Sequence, residues 1–206
     1  LNFSNPIFEK TNIKGKIFDI VRIDDLPITN DLGIPRLPVK SLRILLPQGQ
    51  RVDDIIVITS EKINFDTSFT IAPGSKLVAI VATNKLMNSE KTETVIKNYK
   101  TPIYENKGVH CCKGFNILHI NLYPVQYDTE TGDLSFFKEM NLIVRTKTST
   151  ANGVFRGFYE DISAVQNIVD NPDYINTYSI SNAERSNYIE QYDYVVITNE
   201  DLKFSN

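Results

Sequence analysis

The residues of this 206-residue chain that carry the chemistry of a nucleophile stand together at His110, Cys111 and Cys112, with a second histidine at His119. A thiol nucleophile works when an imidazole meets it in space. Neighbours on an extended strand point to opposite faces. His110 therefore does not serve Cys111, and it meets Cys112 only across a bent backbone. Ordinary strand-entry residues are the preferred reading, and a stand-alone enzyme using His110 with Cys112 ranks last. Zinc needs several convergent ligands, and this cluster has no second one to join it. The two cysteines are adjacent, and a disulfide between them would strain the peptide they share. Asp128, Glu130 and Asp133 alternate along a short polar segment. Carboxylates at that spacing can hold calcium, but the EF-hand pattern is absent, and a solvated turn beside Gly132 is the simpler reading. The sequence has no glycine-rich phosphate loop and no Gly-x-Ser-x-Gly elbow. No catalytic residue, metal or cofactor is assigned.

Four lysines, Lys97, Lys100, Lys107 and Lys113, run through a stretch read as a loop, where solvated surface charge is the usual role. Arg185 lies in a polar connector, and exposed connectors are where proteases cut. The net charge of −3 and the lack of a Lys/Arg run argue against a nucleic-acid surface. No segment approaches the ~20 apolar residues that span a bilayer. The sequence starts at Leu1 rather than Met, from which a processed chain with its signal peptide removed is expected.

The elements that hold these residues read as β. Gly114 to Lys147 consists of two apolar-rich runs around the Asp128–Asp133 segment, which predicts a hairpin with a loop longer than two residues. In its first run Leu118, Ile120 and Leu122 share one face, while Ile117, His119 and Asn121 point the other way. Pro124 cannot donate to a ladder and marks an edge, a bulge or an end. Residues 1–16 read as a lead-in strand or arm. Ile17–Ile23, Val39–Leu46, Val52–Thr59 and Leu77–Val81 read as strands, separated by an irregular Asp24–Pro38 loop and a polar Lys62–Ser75 stretch. The near-continuous apolar run Ile55–Ile58 predicts burial on both faces or a central position. Asn84–Thr101 reads as a charged loop. Turn signals roughly every ten residues, with no long helix before residue 155, predict an antiparallel β-sandwich.

The character changes near Thr148. Ser149–Gly153 reads as a linker, and Phe158–Val169 has helical spacing that Asn171–Pro172 stops. Tyr192–Thr198 reads as a strongly apolar strand with Thr198 or Asn199 as the cap of a following helix, which is how an α/β domain begins. The expected division is a β-sandwich over 1–148, a helix and connector over 149–190, and the start of a truncated second domain over 191–206.

Several pieces together resemble the N-terminal propeptide of gingipain-type cysteine peptidases (peptidase family C25). They are Gly33-x-Pro35-x-Leu37-Pro38-Val39-Lys40, Leu46-Pro47-x-Gly49, Lys113-Gly114-Phe115, Tyr123-Pro-Val-Gln-Tyr127 with Thr131-Gly132-Asp133-Leu134, Asn171-Pro172, and Tyr194-Val-Val-Ile-Thr198. The resemblance spans about residues 30–198 and rests most on the first motif and on the Tyr123–Tyr127 segment. It implies a jelly-roll-like β-sandwich pro-domain that folds with and inhibits a downstream caspase-like α/β cysteine peptidase, its cognate partner, in a secreted or cell-surface protein. The family's catalytic His and Cys would lie beyond this chain, and Cys111 and Cys112 match neither. The resemblance further implies a basic residue placed in the peptidase's specificity pocket, with Lys113 first by position, then Lys107 and Lys100. It implies maturation cleavage between Arg185 and Ser186. A monomer is expected. The alternative is a free-standing β-sandwich module for adhesion or carbohydrate binding, to which Tyr104, Tyr123 and Tyr127 would contribute an aromatic platform.

Overall fold

The computed structural model describes residues 1–75, 96–149 and 155–180. Strands β1 (Ile7–Ile13) and β2 (Lys16–Arg22) form the first hairpin. Its turn is Lys14–Gly15, with φ of 50° and 83°, the two positive values that a tight I′ turn requires. Then follow β3 (Lys40–Leu45), β4 (Gln50–Thr59), β5 (Lys62–Asn64), β6 (Tyr104–Cys112), β7 (Phe115–Leu122), β8 (Val125–Tyr127), β9 (Leu134–Phe137) and β10 (Met140–Thr148). A short helix α1 (Tyr159–Gln166) and a 3₁₀ helix (Pro172–Thr177) close the described chain. The strands group as β1–β2, β4–β10, β3–β7–β6 and β5–β9–β8, and every pairing between them is antiparallel. The fold is the expected mainly β, sandwich-like one with a short C-terminal helix.

The main core takes the Leu118, Ile120 and Leu122 face of β7, with Leu42 of β3, Val21 of β2, Val125 and Tyr127 of β8, Phe136 of β9 and Met140 of β10. The opposite face of β7 is not solvent. Phe115 and Ile117, with Leu45 of β3, are buried under Phe155, Val165, Val169 and Ile175 as a second core. The C-terminal unit also seals the outer edge of β3, which a bare strand would leave open to pairing. Arg43 N–H donates to Asp170 Oδ2 at 2.7 Å, and Asp170 N–H returns a bond to the Arg43 carbonyl at 2.9 Å. The Asn171 side chain stands in for a neighbouring strand: its Oδ1 accepts from Leu45 N–H at 2.7 Å and its Nδ2 donates to the Leu45 carbonyl at 2.9 Å.

Four expectations are corrected. The two runs of Gly114–Lys147 are strands but do not pair with each other. β7 lies between β3 and β6, β10 pairs with β4, and the hairpin is confined to β8 and β9, with Val125 opposite Phe136 and Tyr127 opposite Leu134. Pro124 ends β7 and lets the chain change sheets. The apolar run of β4 is not a central strand: among the described residues β4 pairs only with β10. Its ladder slips beside Asp53, which lets Val52, Ile55 and Val57 all pack inward and leaves Ile58 52% exposed. The lysine-bearing stretch before β7 is largely strand β6, whose residues at the sheet edge are mostly exposed or half-buried, so no apolar alternation marks it. Finally, α1 ends at Gln166, and Asn171–Pro172 opens the 3₁₀ helix, a position where the missing proline N–H costs nothing. The expected Leu77–Val81 and Tyr192–Thr198 strands, and most of the Ser149–Gly153 linker, lie outside the described residues.

Candidate functional site

The β6–β7 hairpin carries both histidines, both cysteines and two of the candidate lysines. Its turn is Lys113–Gly114, between the paired residues Cys112 and Phe115, with φ of 53° and 86°. A I′ turn puts both central residues in the left-handed region, so Lys113 is held at the tip of a rigid turn. Six residues earlier the ladder is interrupted. Asn106 pairs with Ile120 and Gly108 with His119, leaving Lys107 unpaired as a β-bulge. Gly108 supplies φ +94°, and its N–H is accepted by Asn106 Oδ1 at 2.8 Å. Bulges re-aim the side chains they carry, and here the side chain is Lys107, exposed at the edge of the sheet.

Each candidate lysine has a carboxylate partner of a different kind. Lys107 Nζ lies 2.7 Å from Glu105, and both side chains are nearly half exposed. Glu105 also accepts the Tyr123 hydroxyl at 3.0 Å. The Lys107 bond lowers the Glu105 pKa against the opposing effect of burial, whereas burial, then Glu105, push the Tyr123 phenol up. Lys113 Nζ reaches Asp161 Oδ1 at 2.7 Å, and Arg156 reaches Asp161 Oδ2 at 2.8 Å. Asp161 is buried in the first turn of α1, where a carboxylate also complements the helix dipole. The Lys113 bond, reinforced by Arg156, lowers its pKa. Lys100 pairs with Asp128 at 2.9 Å and is the most exposed of the three lysines; that bond lowers the Asp128 pKa.

Of the carboxylates at Asp128–Asp133, that of Asp128 serves the turn. Asp128 Oδ1 accepts the Glu130 N–H at 2.9 Å, the Asp128 carbonyl accepts from Gly132, and the Asp133 carbonyl accepts from Asp128. Among the described residues no group of three or more His, Cys, Asp or Glu side chains converges as a metal-binding set. Cys111 is exposed and Cys112 packs against the second core. The His110 ring faces His119 rather than Cys112, with ring centroids 5.0 Å apart. Tyr123 and Tyr127 are buried, and Tyr104 packs against the main core, so these tyrosines offer no surface platform. Arg185 and Ser186 lie outside the described residues. Sequence reasoning missed Glu105 and Asp161 as partners. Glu105 was legible as the same-face neighbour two residues from Lys107. Asp161 lies 48 residues from Lys113, and no local signal connects them.

No protein-family model matches the sequence, and no curated protein does. Solved structures do match. A chain of the complex of Porphyromonas gingivalis RgpB pro- and mature domains aligns with TM-score 0.57 and 12% identity, over 84% of this chain and 90% of the other. A structure giving insight into the zymogenic latency of gingipain K from Porphyromonas gingivalis aligns with TM-score 0.50 and 18% identity, over 72% of this chain and 85% of that one. The chain has a gingipain propeptide-like fold.

Proposed function

We propose that this chain is the propeptide of a secreted, gingipain-like C25 cysteine peptidase, and that it acts as tethered inhibitor and folding aid until proteolysis removes it. The observation that carries the reading is the shared fold over most of both chains. The partner is the cognate peptidase domain, which supplies the catalytic groups; this chain contributes none. Tethering keeps the effective concentration high, so modest contacts suffice for inhibition. A Lys ammonium suits a carboxylate-lined pocket through charge-assisted hydrogen bonds.

Position alone ranks Lys113 first, but the local contacts support Lys107. Releasing Lys113 from Asp161 leaves a buried carboxylate with one partner fewer. Releasing Lys107 breaks an exposed pair, and exposed pairs contribute about 0–1 kcal/mol. Lys107 also sits on a bulge at a sheet edge, where a partner's backbone has access. Lys100, exposed and singly paired, is the third candidate. Cleavage follows Arg185, so the mature enzyme begins at Ser186.

The test is inhibition of the separately produced cognate peptidase by the chain and by Lys107→Ala, Lys113→Ala and Lys100→Ala. Loss of one charge-assisted contact of about 1.5–3 kcal/mol weakens inhibition roughly 10- to 100-fold, and Lys107→Ala is the variant expected to show it. Equal inhibition by all three variants overturns the lysine assignment. No inhibition by the parent chain overturns the function. N-terminal sequencing of mature enzyme that starts elsewhere than Ser186 removes the cleavage assignment.

A further inference from the structure

The chain has 2 histidines among 206 residues, and the fold brings both to one spot. They are nine residues apart, on different strands, and their ring centroids stand 5.0 Å from each other across the β6–β7 ladder, with the planes 86° apart. We infer that His110 and His119 form a cross-strand chelate for a nitrogen-seeking divalent transition metal such as Cu²⁺, Ni²⁺ or Zn²⁺.

Three features of the hairpin support it. A metal about 2.0–2.1 Å from each donor nitrogen and bound at a near-tetrahedral angle places two imidazole centroids about 5 Å apart, the separation found here. One His110 nitrogen, Nε2, lies 3.2 Å from the Lys107 carbonyl. A carbonyl only accepts, so Nε2 carries the proton and Nδ1 keeps the lone pair. That arrangement, the second N–H given to a backbone carbonyl, is how metal-ligating histidines are oriented. The residue opposite His119 is Gly108, and a Cβ built there meets nothing within 4 Å. The space beside the pair is open for an ion and its waters.

The electrostatics select the kind of metal. Arg43 stands opposite His119 on β3, so a cation flanks the pair. Among the described residues no carboxylate joins the pair as a third ligand, and the Asp170 carboxylate is engaged by the Arg43 backbone N–H. Two imidazole nitrogens beside a cation suit the softer end of the divalent series and leave Mg²⁺ and Ca²⁺, which take oxygen ligands, unbound. The site is labile, with water in the remaining coordination positions.

The test is titration of the tag-free chain with Cu²⁺, Ni²⁺, Zn²⁺ and Mg²⁺, following the imidazole proton resonances and the unfolding temperature. Both histidine spin systems are expected to broaden together with Cu²⁺ or Ni²⁺, with affinity highest for Cu²⁺ and no response to Mg²⁺. His110→Asn and His119→Asn each turn a chelate into a single ligand and are expected to weaken binding about 100-fold or more. Arg43→Gln is expected to tighten it severalfold. The variant Cys111→Ser/Cys112→Ser should bind as the parent does. Loss of binding in that variant with retention in the histidine variants assigns the metal to the thiols and overturns the inference. So does an absence of Cu²⁺ binding by the folded parent. None of these outcomes depends on peptidase inhibition.

Discussion

Tyr178 is the residue through which the C-terminal unit locks onto the sheet, and Tyr178→Phe tests that role. Its hydroxyl donates to the Leu46 carbonyl at 2.9 Å and accepts the Asn116 N–H at 3.1 Å. One oxygen thus serves the end of β3 and the start of β7. Burial raises the phenol's pKa, which keeps the donor proton in place at neutral pH. The ring itself packs on Phe115 at 4.6 Å and on Phe155 at 5.5 Å between centroids, and phenylalanine preserves both contacts. Only the oxygen is lost. Two backbone groups are then left without this partner, for a cost of about 1–3 kcal/mol. At about 2 kcal/mol the melting temperature of a domain of this size falls by about 4–8 °C. Urea unfolding of parent and variant, with unchanged slope, measures the difference. Tyr174→Phe is the control: its side chain is 47% exposed on the neighbouring 3₁₀ helix, and a shift within about 0.5 kcal/mol is expected. Limited proteolysis should then cut residues 155–180 of the Tyr178→Phe protein faster than those of the parent. If the variant unfolds at the parent's midpoint, Leu46 and Asn116 do not depend on the hydroxyl, and the second core is not fastened in this way.

Gly132→Ala is expected to destabilise by more than about 1 kcal/mol, because φ is +77° and the new Cβ would sit 2.2 Å from Ser68 Oγ and 3.1 Å from the Phe69 carbonyl; an unchanged thermal midpoint would show that this turn yields freely. Asp161 titrates below its ordinary value because of Lys113 first and Arg156 second, against burial. A carboxylate with a lowered folded pKa stabilises above its unfolded pKa of about 4 and loses that contribution as pH falls through the folded value. Asp161→Asn should therefore unfold more easily than the parent at pH 7, with the gap closing as pH falls below about 4. A constant gap across that range, read by urea midpoints, would show that the carboxylate charge does not matter.

The strands of this protein were legible because alternation is local, and their partners were not because pairing is global. Ile17–Ile23 and Val39–Leu46 correspond closely to β2 and β3. Leu118, Ile120 and Leu122 face the main core as alternation requires. The same alternation assigned Ile117 to the polar side, and Phe115 and Ile117 are buried there only because residues 155–180 return to cover them. Likewise Gly114–Lys147 has the pattern of one hairpin, yet Pro124 breaks it and each long strand finds a partner 60 or more positions away in β3 or β4. The hidden strand β6 has the opposite difficulty. Its Glu, Asn, Lys and His residues look like a loop because an edge strand can leave such side chains in water, and only the Lys113–Gly114 turn, a positive-φ pair, betrays the hairpin. The candidate site follows the same rule. Lysine types and their order could be read from the sequence, but what distinguishes Lys107 from Lys113 is a bulge opposite β7 and a buried Asp161 on α1. Both are properties of the partner, and neither is visible in the residues beside the lysine.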